Sequence, residues 1–279
     1  MLRSLFAGIS GLRANQTMLD VTGNNIANAN TIGFKASTTI FQDTLSQMLT
    51  GAAAAGNGRG GTNPIQVGLG VQVGATSTNF GQGSAETTGR STDLMIQGDG
   101  FFVVDNGGQP LYTRAGAFTF DETGQLVSPD GYLVQGYQAK NGKIDTTLPA
   151  GPIVLPQPGG TPELTSYNIG ADGVVRGTFS DGSQQEIAQV QIADFSNPMG
   201  LEKVGDTSFR LSASSGPAAI GTPGQGRNGT LVGGALEMSN VDLAAEFTNL
   251  ILAQRGFQAS SRVITTSDQV LEDLVNIKR

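Results

Sequence analysis

Residues 240–279, NVDLAAEFTNLILAQRGFQASSRVITTSDQVLEDLVNIKR, decide the reading of this chain. An apolar residue recurs at every seventh position, at Leu243, Leu250, Phe257, Ile264 and Leu271. A seven-residue period keeps one stripe of a helix facing a partner over many turns. Asn240 stands where a capping residue is expected, Asp242 falls in the first turn, and Lys278 and Arg279 close the stretch. That charge order suits the helix macrodipole. At ~1.5 Å per residue the helix is roughly 55 Å long, which raises the question of what it packs against. Three positions beyond the stripe stand Glu246, Ala253, Ser260, Ser267 and Leu274; four beyond it stand Phe247, Gln254, Ser261, Asp268 and Val275. The second row of the seam is therefore small or polar through the middle, where a two-stranded coiled coil wants apolar residues. The pattern predicts a helix among several neighbours, with close contacts at Ala253, Gly256 and Ser260, or else a helix only half buried.

The beginning of the chain repeats the pattern. Leu5, Leu12, Leu19 and Ile26 are spaced by seven, with Leu2 and Ile9 beside them. Gly8 and Gly11 lie inside this second helix, each costing about 1 kcal/mol against alanine, and would let another helix approach closely. Either helix alone reads as an ordinary core helix. Two heptad helices at opposite ends of one chain predict a pair, because termini tend to lie near each other. A two-helix pair leaves apolar surface uncovered, so both are expected to meet other subunits and to order fully only with them.

Between the ends the character changes. Residues 36–75 carry Gly51-Ala52-Ala53-Ala54-Ala55-Gly56 and Gly58-Arg59-Gly60-Gly61, and read as a linker or extended arm. From about residue 76 turn signals alternate with short apolar runs. Phe101-Phe102-Val103-Val104 is followed by Asn106-Gly107-Gly108 and Leu111-Tyr112-Thr113-Arg114. Asp130-Gly131, Asp172-Gly173 and Asp181-Gly182 repeat the device, and residues 188–192 alternate apolar and polar. The fold class expected is a mostly antiparallel, turn-rich β domain, with discontinuous N- and C-terminal helices forming a coiled coil. The boundaries expected are 1–35 for the N-terminal helix, 76–145 and 165–235 for the β domain, and 236–279 for the C-terminal helix. Residues 146–164, rich in Pro and Gly, are expected to form a surface loop.

Composition narrows function mostly by exclusion. Net charge is −7 and the isoelectric point about 4.6, opposite to a nucleic-acid binder. The absence of Cys and His removes disulfides, thiolate chemistry and the commonest metal ligand, so no metal or cofactor is expected. Glycine, 41 of 279 residues, is about twice its usual ~7%, and there is no Trp. No apolar run reaches the ~18 residues that span a bilayer, and the first ten residues match a cleaved signal peptide weakly, so no membrane partner is expected. Asp172 and Asp181 form a conceivable carboxylate pair for glycoside hydrolysis, but each sits in a DG turn and reads as a turn former. Gly221-Thr222-Pro223-Gly224-Gln225-Gly226 lacks the strand-loop-helix context of a phosphate loop. Asn15 and Asn228 open sequons to which no meaning is attached. Arg114 and Arg255 are read as solvated, or as ion-pair donors at a subunit contact.

The motifs resemble one family. Asn24-Asn25-Ile26-Ala27-Asn28-Ala29-Asn30-Thr31-Ile32-Gly33-Phe34-Lys35 is similar to the N-terminal signature of the bacterial flagellar rod and hook axial proteins. Gly61–Val71, Gly98-Asp99-Gly100-Phe101-Phe102-Val103-Val104 and Tyr112–Phe118 follow in the family's order. Asn240-Val241-Asp242-Leu243 and Gln254-Arg255-Gly256-Phe257 then match its C-terminal signature. The matching stretches leave out only 46–60 and 146–164. The ending, Val263–Asp268 and Leu274–Arg279, is closer to hook than to rod, and the chain resembles a short hook-type member without the extra outer domain. The resemblance implies a structural subunit, not an enzyme, that polymerises into a curved, torque-transmitting hook containing an export channel. Its implied partners are copies of itself, rod subunits, a hook-cap protein, a hook-filament junction protein and the export apparatus. Its implied place is the flagellum outside the cell, reached without a cleaved leader. A distal rod subunit is the alternative within the family, since rod subunits are also short. A surface carbohydrate-binding or carbohydrate-degrading β protein is the alternative outside it. The interface residues implied are Leu5, Ile9, Leu12, Leu19, Ile26, Leu243, Leu250, Phe257, Ile264 and Leu271. The signature residues are Asn24, Asn25, Asn28, Asn30, Gly33, Phe34, Gly98, Gly100, Phe101, Asn240, Gln254 and Arg255.

Overall fold

The computed structural model describes residues 2–54, 56, 60–140, 142–146, 149–156 and 163–277. Lys278 and Arg279, expected to close the C-terminal helix, lie outside them. The chain forms two units and passes between them at 27/28, 36/37, 79/80 and 240/241. The first unit holds Met1–Ala27, Ser37–Asn79 and Val241–Arg279; the second holds Asn28–Ala36 and Phe80–Asn240.

In the first unit, helix α1 (Leu2–Ala27) runs antiparallel to helix α2 (Leu243–Ile277). The direction follows from the contacts. Ser4 Oγ meets Ser267 Oγ at 3.4 Å, a Cβ on Gly8 would lie 3.2 Å from Ile264, and Asn25 reaches Glu246. Asn240 does not cap α2. Asp242 does, its Oδ1 accepting the N–H groups of Ala244 at 2.9 Å and Ala245 at 3.2 Å. Its carbonyl receives the N–H of Glu246 at 2.9 Å. A short carboxylate right before the first turn satisfies donors that the helix itself cannot. Asp242→Ala should therefore cost about 1 kcal/mol, read as faster hydrogen exchange in the first turn of α2.

Residues 36–75 are not a plain linker. Strand β1 (Ser37–Asp43) pairs antiparallel with β4 (Val71–Thr78), and β2 (Ser46–Thr50) with β3 (Ile65–Gly68). The Gly- and Ala-rich composition of 51–61 masked the β-branched runs flanking it. A two-stranded ribbon is marginal in water, and this one exposes Leu45, Met48, Leu49 and Ile65. It is tied to α1, where the N–H of Val71 donates to Ser10 Oγ at 3.2 Å. A Cβ on Gly70 would fall 2.2 Å from that oxygen.

The second unit is the antiparallel β domain. The long path of its main sheet runs through Leu164–Ile169, Val174–Phe179, Gln184–Val190, Leu133–Lys140, Phe101–Asn106, Gln109–Thr113, Ser208–Arg210 and Glu202–Gly205. The expected turns close its hairpins, with Gly107, Gly173 and Gly182 all at positive φ. The unbroken run Phe101–Val104 is explained by burial on both faces. Phe102 and Val104 enter the main core with Leu94, Phe118 and Val134, while Phe101 and Val103 enter a second cluster with Tyr112, Phe195 and Phe209. Asp172 and Asp181 hold turns: Asp172 accepts from the N–H of Val174, and Asp181 from the N–H and hydroxyl of Ser183.

Three boundaries differ from the expectation. Asn28–Ala36 belongs to the β unit, not to the helical one. Ala235–Glu237 is a strand paired with Ala85–Thr87, and α2 begins only at Leu243. Within the expected loop 146–164, Gly151–Pro152 pairs with Gln135–Gly136, and Ile153 and Leu155 are buried in the core. The prolines around these apolar residues disguised a strand that packs on the domain. Residues 147–148 and 157–162 of that stretch lie outside the described residues.

Candidate functional site

The residues that the sequence singles out fall into two places, one in each unit. In the helical unit, α2 buries its small and polar row most deeply against α1, with Ile264 of the large apolar row also reaching it at Gly8. Ala253 is 1% exposed, and Glu246 is buried with it. A Cβ on Gly11 would lie 2.8 Å from Ser260 Oγ, and one on Gly256 would lie 2.6 Å from Asn15. The close approach expected of Gly8, Gly11, Ala253, Gly256 and Ser260 is thus the approach of the chain's own two helices. The row read as unsuited to a coiled coil is the packed row.

The expected interface residues divide accordingly. Leu5, Leu12, Leu19, Ile26, Leu250, Ile264 and Leu271 are half-buried. Ile9, Leu243 and Phe257 are exposed, as are Phe247, Ile251, Leu252, Val263, Val270, Leu274, Val275 and Ile277. Apolar exposure on this scale along one helix goes beyond the scattered surface residues of a monomer. It is the chemistry of a surface to be covered.

At the end of α1 the signature residue Asn25 is 1% exposed and grips the start of β1. Its Oδ1 accepts the N–H of Ser37 at 3.0 Å, and its Nδ2 donates to the Ser37 carbonyl at 2.8 Å. The same Nδ2 lies 3.1 Å from Glu246 Oε1. Asn28 accepts the Thr31 hydroxyl, while Asn24 and Asn30 are exposed, as are Gln254 and Arg255.

In the β unit the two ends of the signature meet in a buried ionic cluster that sequence reading did not find. Lys35 Nζ sits 2.6 Å from Glu237 Oε1, both side chains fully buried, and donates to the Gly81 carbonyl at 2.9 Å. The N–H of Gly83 donates to the same Oε1 at 2.9 Å. Arg114 Nη1 lies 3.3 Å from Glu237 Oε2, and its Nη2 donates to the Gly98 carbonyl at 2.9 Å. The Arg114 guanidinium also covers the ring of Phe101 at 5.3 Å. Arg114 is therefore not a solvated arginine. Burial pushes Lys35 and Arg114 below their ordinary values, and Glu237 works against that push in both.

Around the cluster the remaining signature residues have backbone roles. Asn240 accepts the N–H of Ala36 at 2.9 Å and donates to Gly81 at 3.0 Å. Gly33, at φ +69°, donates its N–H to the Glu237 carbonyl at 2.8 Å; a Cβ there would lie 2.4 Å from the Ala115 nitrogen. Gly98 and Gly100 hold positive φ beside the cluster, and Lys203 stands 4.9 Å over the ring of Phe34. Gly33→Ala should cost more than the ~1–2 kcal/mol of a left-handed residue, because backbone must also move; a lowered urea midpoint would show it. Lys35 also predicts a pH effect. Its folded value lies below 10.5, so between that lowered value and 10.5 the unfolded chain holds a proton that the folded chain has released. Stability contributed at Lys35 then rises with pH across that window. Calorimetry of the wild type against Lys35→Met should show their difference shifting in the wild type's favour there.

The sequence itself now finds its relatives. Three family descriptions match: "Flagella basal body rod protein" at residues 5–35, "Flagellar hook protein FlgE/F/G D1 domain" at 95–177, and "Flagellar basal body rod FlgEFG protein C-terminal" at 232–277. The flagellar basal-body rod protein FlgG of Bacillus subtilis is 47% identical over 280 residues, covering all of both chains. This chain belongs to the flagellar hook and basal-body rod protein family. FlgG of Caulobacter vibrioides is 38% identical over 97% of each chain. The flagellar hook protein FlgE of Borreliella burgdorferi is 29% identical over an alignment of 441 positions, so it carries sequence that this chain lacks. Hook and rod proteins are structural proteins of the flagellum, not enzymes. The family matches at 5–35 and 232–277 contain most of α1, all of α2, and the Lys35 and Glu237 of the ionic cluster. Among the described residues no helix is long and apolar enough to cross a membrane, and no group of three or more acidic residues could hold a metal.

Proposed function

We propose that this chain is a distal rod subunit, polymerising through its terminal helices into the shaft of the flagellar basal body. The observation that carries the choice is the end-to-end correspondence with rod proteins called FlgG, at 47% identity in one case, against 29% and a much longer alignment for a hook protein. The sequence reading favoured the hook from the ending of the chain; the full-length match outweighs a terminal stretch. The mechanism is assembly. Each copy offers one patch and receives another, and such heterologous contacts build an open helical array when the rotation does not close. Burying exposed residues such as Phe247, Ile251 and Leu252 between copies supplies the driving force, at about 1.5–3 kcal/mol for each side chain fully covered. Neighbouring rod subunits and the export apparatus are the partners that this reading implies. The flagellum is its place. Hook-cap and hook-filament junction proteins belong to the hook reading instead.

The test is a deletion strain whose basal bodies are isolated and imaged. A rod that stops before its distal part supports the rod assignment. A complete rod that lacks a hook overturns it in favour of the hook subunit. Normal flagella with lost glycan binding would return the chain to the carbohydrate-binding class.

A further inference from the structure

Among the described residues, α1 does not reach the end of α2. Ser4 lies level with Ser267 and Gly8 with Ile264, so α1 runs out near residue 270 of α2. Beyond that point Leu274, Val275 and Ile277 are 54%, 70% and 83% exposed. Asp268, Glu272 and Asp273 are exposed on the same stretch. The apolar side chains and the carboxylates thus form one amphipathic end, which Lys278 and Arg279 follow in the sequence.

The same unit contains a groove whose charge is opposite to that of these carboxylates. It lies between α1 and the β-ribbon and encloses about 590 Å³. Phe6, Ile9, Leu69 and Val71 give it an apolar lining; Phe6 is 65% exposed. Arg3 and Arg13 flank it, exposed, with no carboxylate in ion-pair reach among the described residues. The Ser10–Val71 hydrogen bond holds helix and ribbon together at this place. Glu272 and Asp273 of the overhang are opposite in charge to Arg3 and Arg13 of the groove, and both surfaces are lined by apolar side chains.

We infer that the groove between α1 and the ribbon receives the overhanging end of α2 from a second copy of this chain. The apolar residues of the overhang cover Phe6 and Ile9, and its carboxylates face Arg3 and Arg13. Donor and acceptor patches differ, so the contact is heterologous and propagates from copy to copy. The inference rests on the assembly reading and gives that reading a specific contact.

The absence of native cysteine makes the test direct. Phe6→Cys and Val275→Cys are placed together in the full-length chain under assembling conditions, then oxidised. Within one copy position 6 lies level with about residue 266, so position 275 is roughly 13 Å further along α2. A disulfide needs Cα atoms within ~7 Å and so cannot form inside one copy. A covalent ladder is expected for the double variant, and nothing beyond a dimer for either single one. Independently, Arg3→Glu with Arg13→Glu should raise the concentration needed for assembly at least tenfold, and adding Glu272→Lys with Asp273→Lys should restore it. Assembly without a ladder, or without rescue by the second charge reversal, overturns the contact and leaves the subunit reading standing. A chain that never assembles, alone or on isolated basal bodies, defeats both.

Discussion

Glu237→Gln lowers the stability of the β unit by about 3–5 kcal/mol, the largest single-site loss expected outside the apolar core. The reason is asymmetry. Glu237 is the carboxylate that pairs with both Lys35 and Arg114, and removing its charge leaves two buried cations facing each other. Their hydrogen bonds to Gly81 and Gly98 survive, but a carbonyl dipole does not replace a carboxylate. Lys35→Met removes a cation along with its desolvation penalty, and Glu237 keeps Arg114. It should cost less, and the pair Lys35→Met with Glu237→Gln should cost less than the sum, with a coupling of about 0.5–3 kcal/mol. The readout is available because the chain has no Trp and its four tyrosines, Tyr112, Tyr132, Tyr137 and Tyr167, all lie in the β unit. Tyrosine fluorescence in urea follows that unit alone. A loss within ~0.5 kcal/mol, as at an ordinary surface site, would show that the cluster is not what joins the two ends of the signature.

The ionic cluster marks where sequence reading runs out. Each of its members stands inside or beside a recognised motif: Lys35 closes the N-terminal signature, Arg114 sits in Tyr112–Phe118, and Glu237 precedes Asn240. Nothing local marks a lysine as buried, because burial comes from segments some two hundred positions apart folding onto each other. Hairpins were legible for the opposite reason. Asn106-Gly107-Gly108 and Asp181-Gly182 specify their turns through residues that tolerate positive φ, a purely local property. The ribbon 37–78 and the buried strand around Ile153 were missed because Gly, Ala and Pro nearby dominated the composition. Heptad spacing located both helices. It could not say which stripe of α2 would face α1, since a large apolar residue suits a partner in the same chain and a partner in another equally well. Small residues at Ala253, Gly256 and Ser260 carried that information, because only they permit close approach of a backbone.

That division of α2 into two faces predicts opposite phenotypes for substitutions one residue apart. Ala253→Leu places a large side chain on the face that touches α1, where the native residue is 1% exposed. Overpacking there should cost about 1–3 kcal/mol, visible in the isolated protein as earlier loss of the helical circular-dichroism signal on heating. Leu252→Ser, its neighbour, alters a side chain already 60% exposed, and Phe247→Ser one that is 51% exposed. Both should leave the monomer's melting unchanged, since they remove little that the monomer buries. Assembly should respond the other way. If each residue is covered between copies, the double variant forfeits about 3–6 kcal/mol per contact. That raises the concentration needed for polymerisation by roughly 10²–10⁴-fold. Sedimentation of assembled from free chains over a concentration series measures it, with motility of a complemented deletion strain as the readout in cells. Should Leu252→Ser and Phe247→Ser together polymerise like the wild type while Ala253→Leu alone blocks it, the outer face of α2 is not the surface through which the chain assembles. The exposed apolar residues would then need another occupant.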